Sequence, residues 1–215
     1  MTKLGIIPAA GRGKRFGGAL KELLPVSNED TLLSRTLKFL EDIPVDNTVL
    51  ITNGYKWAAH AQTVTGHNVT LVEQKSHNCD AWGAIVETLP LAGDMNYYLM
   101  PDTYIPARSY FDEFPEGDFV MGLFTTVAPE RFGVLIDGEI RDKDESLKGI
   151  YRMAWGMLIW SGAVAKFWEQ NLDKIASHTQ AFNMAIKEFG YNTFKLPFYY
   201  DVASFEDYKR LLEHV

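Results

Sequence analysis

Residues 6–26 read IIPAAGRGKRFGGALKELLPV. The segment opens inside an apolar run, Leu4 to Pro8, which reads as a buried strand. It then breaks into Ala9-Ala10-Gly11-Arg12-Gly13-Lys14-Arg15, a turn of small residues loaded with cations. Lys21 follows, and Leu23-Leu24-Pro25-Val26 returns to apolar character. Glycines let backbone N–H groups approach an anion closely, and Arg12, Lys14, Arg15 and Lys21 add positive charge. Such a loop suits a polyphosphate. The alternative is a basic turn that is simply solvated, as most charge runs are.

Two common phosphate loops do not fit. The P-loop ends its glycine pair with Lys and Ser or Thr, and no such string occurs. The dinucleotide pattern GxGxxG would begin at Gly11 and Gly13, but its last glycine falls on Phe16.

Outward from the loop, the first half alternates strand-like and helix-like pieces. Leu32, Leu33, Leu37 and Leu40 have helical spacing, with Asp30 or Thr31 as the cap. Val49–Thr52 reads as a strand, Tyr55–Val64 as a helix, Val69–Glu73 as a strand and Asp80–Leu89 as a helix. Tyr97–Met100 is a fourth strand, ending at Pro101-Asp102. This alternation predicts an α/β fold: a Rossmann-like mixed sheet, mostly parallel, with helices on both faces. The second half adds antiparallel pieces. Asp118–Val127 and Phe132–Ile136 read as strands, and Asp137-Gly138 before Glu139-Ile140 signals a hairpin. Gly156–Trp160 and Phe194–Pro197 read as further strands. Val164–Asn171, Gln180–Phe189 and Ser204–Leu212 read as helices. No repeat, low-complexity tract or linker stands out, so residues 1–215 are expected to form a single domain.

Composition narrows the function. The 215 residues are 47% hydrophobic and 23% charged, as in ordinary globular proteins. The net charge of −7 argues against a nucleic-acid partner and makes the basic loop conspicuous. Cys79 is the only cysteine, which excludes an intrachain disulfide and a cysteine zinc site. The five histidines show no metal-ligand spacing and read as surface or core residues. No signal peptide or membrane-length apolar stretch is visible. These features suggest a cytoplasmic enzyme.

In open α/β sheets, ligands bind beyond the carboxyl ends of the strands. The basic loop and Asp102 both lie at such ends. Asp201, after Phe198-Tyr199-Tyr200, is a second carboxylate of this kind. Taken singly, each aspartate reads as a turn or helix cap. Taken with the loop, the pair reads as a site for magnesium, which prefers a few carboxylates plus phosphate oxygens. Trp160 and Trp168 read as core residues, and Trp155 and Tyr199 as neighbours of the pocket.

Ala10-Gly11-Arg12-Gly13-Lys14-Arg15, then Lys21 and Leu23-Leu24-Pro25, resembles the signature of the sugar-phosphate nucleotidyltransferases. Glu130-Arg131-Phe132-Gly133-Val134-Leu135-Ile136-Asp137-Gly138-Glu139-Ile140 is similar to a second string of that family. Ala154–Ser161 resembles a third. The resemblance runs from Leu4 to about Leu212. Departures are Pro101 before the first metal aspartate, Ala203-Ser204 after the second, Cys79 in place of Gly, and no EKP element. Only five residues separate Arg15 from Lys21, a spacing closer to cytidylyl- and guanylyltransferases.

The resemblance implies transfer of a nucleotidyl group from a nucleoside triphosphate to a sugar 1-phosphate, with release of pyrophosphate. It implies Arg15 and Lys21 as catalytic residues. It places Ala10, Gly11, Gly13, Gln74 and Asp80 at the nucleotide. Gly133 and either Lys143 or Lys148 would hold the sugar phosphate. Asp102 and Asp201 would hold Mg2+. The alternatives are a cytidylyl- or guanylyltransferase acting on a non-sugar phosphate, a non-catalytic module of the same fold, and a glycosyltransferase. A glycosyltransferase would not need the N-terminal loop. No membrane partner is expected, and a homodimer is open, since no stretch specifies one.

Overall fold

Short apolar runs bounded by Asn, Asp and Gly become strands in the computed structural model, which describes residues 1–43, 45–75, 81–105, 114–150 and 152–215. In chain order the first half holds β1 (Lys3–Pro8), α1 (Leu32–Asp42), β2 (Asn47–Thr52), α2 (Trp57–Thr63), β3 (Val69–Glu73), α3 (Ala81–Thr88), β4 (Met95–Leu99) and β5 (Thr103–Tyr104). The second half holds β6 (Phe119–Thr126), β7 (Gly133–Ile136), β8 (Glu139–Asp142), β9 (Arg152–Ser161), α4 (Gly162–Gln170) and α5 (His178–Phe189). It closes with β10 (Asn192–Lys195), β11 (Tyr200–Asp201) and α6 (Phe205–Leu212). The expected start of α3 at Asp80 lies outside the described residues.

The main sheet runs β10-β6-β9-β4-β1-β2-β3, and the β7–β8 hairpin joins it through β9. β1 pairs in parallel with both β2 and β4, and β3 extends β2 in parallel. β9 is antiparallel to both β4 and β6, so it alone reverses direction along this path of described strands. The chain order places β2 and β4 on opposite sides of β1. The turns leaving β1 and β4 therefore part at the same end of the sheet. This is the mixed, mostly parallel sheet expected from the alternation of elements.

Alternation along the strands sends side chains to two cores. Ile6, Val49, Ile51 and Tyr98 face Trp82, Ile85, Trp160, Trp168 and Phe182, beneath α3, α4 and α5. Ile7, Leu50, Tyr97 and Leu99 face Leu33, Leu37, Phe39 and Leu40 of α1. Trp160 and Trp168 are core residues, as expected. A third, smaller cluster joins Phe16, Val26 and Leu32 to Val202 and Leu211.

Local chemistry sets the boundaries. Of the two candidate caps for α1, Thr31 does the work: it accepts from Ser34 N, and the Ser34 hydroxyl accepts from Thr31 N, a reciprocal capping box. Asp30 instead receives Lys38 at 2.7 Å. Ser204 caps α6, whose first turn carries Glu206 and Asp207 and whose last turn carries Lys209 and Arg210, matching the helix dipole. Asp137 (φ 50°) and Gly138 (φ 79°) make the hairpin turn that the sequence signals.

Tyr199 stacks on Phe124 with ring centroids 4.1 Å apart and lies against Gly156 of β9. A Cβ at Gly156 would come within 2.5 Å of the Tyr199 ring. Gly156→Ala is therefore expected to cost about 1–3 kcal/mol through overpacking. In thermal melts this appears as a Tm lowered by roughly 2–10 °C. An unchanged Tm would show that Tyr199 shifts freely.

Candidate active site at the carboxyl end of the parallel strands

The loop after β1 is held by its carbonyls. Ala9 N donates to Ile51 O at 2.7 Å, prolonging the β1–β2 ladder. The Asn53 side-chain amide donates to Ala10 O at 2.6 Å, and Lys56 Nζ donates to Ala9 O at 3.0 Å. Gly13 has φ 57°, and a Cβ there would lie 2.5 Å from Ala19 O, so only glycine fits the bend. Its carbonyl accepts from Phe16 N and Gly18 N. Phe16 is buried and packs on Phe205 of α6. A short helical turn, Lys21–Leu23, then brings Lys21 back beneath the loop.

Two carboxylates meet opposite it. β5 pairs with β11 so that Thr103 lies across from Asp201, and Val202 N donates to Asp102 O at 3.0 Å. Asp102 is buried and forms an ion pair with Lys21. Its Oδ1 is buried without a hydrogen-bond partner among the described residues. Asp201 receives Arg131 at 3.3 Å, and the same guanidinium reaches Asp207 at 2.9 Å. Burial, and then the negative charge of Asp102, push the Asp201 carboxyl up to about 6, against the pull of Lys21 and Arg131. A raised acid favours folding while protonated. That contribution is complete below the ordinary value of 3.8 and is lost as pH rises through about 6. An orphaned carboxylate oxygen beside a carboxyl strained by like charge is a pair that a divalent cation would relieve. Among the described residues no cluster of three or more acidic, His or Cys side chains forms a metal cage. The pair therefore suits a cation that takes its remaining ligands from phosphate oxygens.

One cavity joins these parts. Ala9, Ala10, Gly11, Lys21, Gln74 and Asp102 line it, together with Glu22, Lys56 and Met100. Gln74 is held by a backbone bond to Thr52 O at 2.9 Å. Of the residues singled out from the sequence, Ala10, Gly11, Gln74, Lys21 and Asp102 thus share the cavity, and Asp201 adjoins it through Asp102. Gly13 shapes the turn rather than the wall. Arg15 is exposed on that turn. Gly133 begins β7 and packs over the Trp155 indole. Lys143 is exposed beside Asp142 at 3.2 Å, and Lys148 is exposed after the neighbouring turn. None of these four residues lines the cavity. Trp155 packs on Phe182 of α5 rather than on the pocket, whereas Tyr199 feels the charges of Asp201 and Asp102. Asp80 and Cys79 lie outside the described residues.

Comparison with known proteins bears on the part of the chain that carries the loop and the first aspartate. Residues 5–104 match the MobA-like NTP transferase domain. No curated protein matches the chain in sequence. Solved structures give the fold. A Bacillus anthracis protein assigned as a glucose-1-phosphate thymidylyltransferase and crystallised with sucrose superposes with a TM-score of 0.80 at 19% identity, covering 99% of this chain and 94% of that one. UDP-glucose pyrophosphorylase from Acinetobacter baumanii gives 0.78 at 14% identity, covering 100% and 93%. The inositol-1-phosphate CTP transferase from T. maritima gives 0.74 at 16% identity, covering 99% and 95%. The fold is that of these nucleotidyltransferases.

Within residues 5–104 lies a buried ionic network that no sequence motif announces. Glu22 and Lys56 are each 1% exposed and His60 is 0% exposed. Glu22 Oε1 accepts from Lys56 Nζ at 2.7 Å and from His60 Nε2 at 2.8 Å. His60 Nδ1 meets the Thr52 hydroxyl at 2.7 Å. The available signal is slight: Lys56 and His60 stand four apart, on one face of the helical turn that follows a buried strand. No local pattern marks Glu22 as their partner.

Burial alone would raise the Glu22 carboxyl. The hydrogen bond from His60 and the charge of Lys56 prevail and hold it below its ordinary 4.5. Its stabilising contribution is therefore present above that value and is lost as pH falls through the lower, folded one. Glu22→Gln is expected to lower stability at pH 7 by about 3 kcal/mol or more, as breaking one side of a buried ion pair does. Melts of variant and parent should converge as pH falls through the lowered, folded value, which lies below 4.5. A gap that stays constant with pH would sink this account.

Proposed function

We propose that this chain transfers a nucleotidyl group from a nucleoside triphosphate to a sugar 1-phosphate, releasing pyrophosphate and forming a nucleotide sugar. The observation that carries the reading is the shared cavity. It joins a glycine-bearing loop, Lys21 and a buried carboxylate whose second oxygen lacks a partner among the described residues. Phosphoryl chemistry of this kind needs positioning and charge neutralisation more than covalent help. Backbone N–H groups of the Ala10–Gly13 turn receive the β- and γ-phosphates. Lys21 shifts its charge from Asp102 toward the α-phosphate as charge builds there. Arg15, exposed on the turn, meets the departing pyrophosphate. Gln74 contacts the base or ribose. Gly133 and Lys143 or Lys148 belong to the acceptor side. The attacking phosphate oxygen is already ionised, so no general base is needed.

Asp102 and Asp201 would hold a divalent metal, magnesium in this reading, which supplies neutralisation of phosphate charge. Arg131 keeps Asp201 oriented meanwhile and shares its charge with Asp207. A second reading is a cytidylyl- or guanylyltransferase acting on a different phosphate. It is favoured by the MobA-like match and by the likeness to an inositol-1-phosphate CTP transferase.

Melting the protein with each of ATP, CTP, GTP, UTP and dTTP plus magnesium names the donor. A ligand bound only by the native state raises Tm with the logarithm of its excess over Kd. One triphosphate is expected to stand out. With that donor and a panel of sugar and polyol phosphates, Lys21→Ala and Asp102→Ala should slow pyrophosphate release on the order of a hundredfold or more. Near-parental turnover in both variants would overturn the assignment, and activity with non-sugar phosphates alone would select the second reading.

A further inference from the structure

The cost of the Glu22–Lys56–His60 network has to be explained. Burying a carboxylate and an ammonium together rarely stabilises a fold more than well-packed apolar side chains of the same size. Here the ions lie against the wall of the cavity, not in the centre of either core. Apart from the bond of His60 to Thr52, the side-chain bonds they make end on the phosphate loop or on the turn that carries Lys21. Lys56 holds Ala9 O and Glu22, and Glu22 is the chain neighbour of Lys21. His60 fixes the same carboxylate oxygen and is itself set by Thr52. Asn53, the residue after Thr52, holds Ala10 O.

Peptide planarity turns these contacts into an orientation. In a trans peptide the C=O of one residue and the N–H of the next point in opposite directions. With Ala9 O drawn to Lys56 and Ala10 O drawn to Asn53, the N–H groups of Ala10 and Gly11 face away from those side chains. A Cβ at Gly11 would meet no heavy atom within 4 Å, so the space beside it is open. We infer that Glu22, Lys56 and His60, with Asn53, are positioning residues: a buried clamp that aims the Ala10 and Gly11 N–H groups and Lys21 at a triphosphate. The inference rests on the proposed function, because the triphosphate is the ligand it serves.

Removing both charges separates positioning from stability. The double variant Glu22→Gln/Lys56→Met leaves no unpaired buried ion, and its Tm is expected to stay within a few degrees of the parent. Triphosphate affinity and turnover should nevertheless fall on the order of tenfold to a hundredfold, as for a misplaced reacting group. KM for the acceptor phosphate should not move. Amide hydrogen exchange in a peptide spanning residues 6–16 should quicken without any ligand. A folded double variant with parental triphosphate affinity and parental exchange overturns the clamp. If the double variant does not fold, Asn53→Ala serves, since it frees Ala10 O and leaves the ions in place. Faster exchange and weaker binding support the clamp, and parental values for both overturn it. A parent protein that binds none of the five triphosphates sinks the proposed function, while the exchange comparison still decides whether the network holds the loop.

Discussion

β1 has β2 on one side and β4 on the other, both parallel to it, and the rest of the site follows from that constraint. The chain leaving β1 and the chain leaving β4 emerge together and must separate to reach their next elements. Their separation opens a crevice that side chains do not fill. Evolution of the loop sequence can then act on a place where two backbones are already exposed side by side. The antiparallel β9 closes the other flank of β4, and β5 reaches out from β4 to meet β11. The same strand edge thus supplies one carboxylate directly and recruits the other from the far end of the chain.

Charge is distributed against the overall balance of the molecule. A protein with a net charge of −7 interleaves cations and anions at one cavity, Lys56 with Glu22 and Lys21 with Asp102, and beside it, Arg131 with Asp201 and Asp207. In a site shielded from water such interactions are stronger than on the surface, and each unpaired member is correspondingly costly. The Glu22 pair is closed on itself and structural in character. The Asp102 and Asp201 pair is open: one oxygen has no partner among the described residues, and one carboxyl is pushed upward by burial and then by its neighbour. Glu22, Lys56 and Asp102 line one cavity, so the satisfied pair and the frustrated one lie side by side. That contrast distinguishes the groups that hold the site from the groups available to a ligand.

What the sequence disclosed and what it concealed divide along the range of the interactions. The loop, the strands of the first half, the hairpin at Asp137-Gly138 and the helix after Ser204 were legible because each is specified within a few residues. Asp102 was legible because a strand end can be read locally. The pairing of β5 with β11 was not, since two residues per strand carry no period. The start of α5 at His178, two residues before the expected Gln180, was set by Ser177, a cap that no apolar residue announces. The ion network was concealed for a stronger reason. Glu22 and His60 become partners only after α2 packs behind the loop, and a lone histidine in sequence reads as an ordinary core or surface residue. Arg131 was quoted as part of a motif, but its hold on Asp201 and Asp207 depends on contacts some seventy residues away.

The small cluster of Phe16, Val26, Leu32, Val202 and Leu211 has a consequence for the order in which the protein becomes complete. It packs the first turn of the chain against its last helix, across a sequence separation close to the full length. Such contacts incur the largest loop-closure entropy and contribute late in folding. During synthesis, the parallel strands can form while β11 and α6 are still unmade. The glycine-bearing loop after β1 then has its own sheet beneath it but neither Asp201 nor the Phe205 ring that supports Phe16. The carboxylate pair therefore comes together only after the ribosome has delivered residue 201. The strands of the first half can thus be in place before the second aspartate exists.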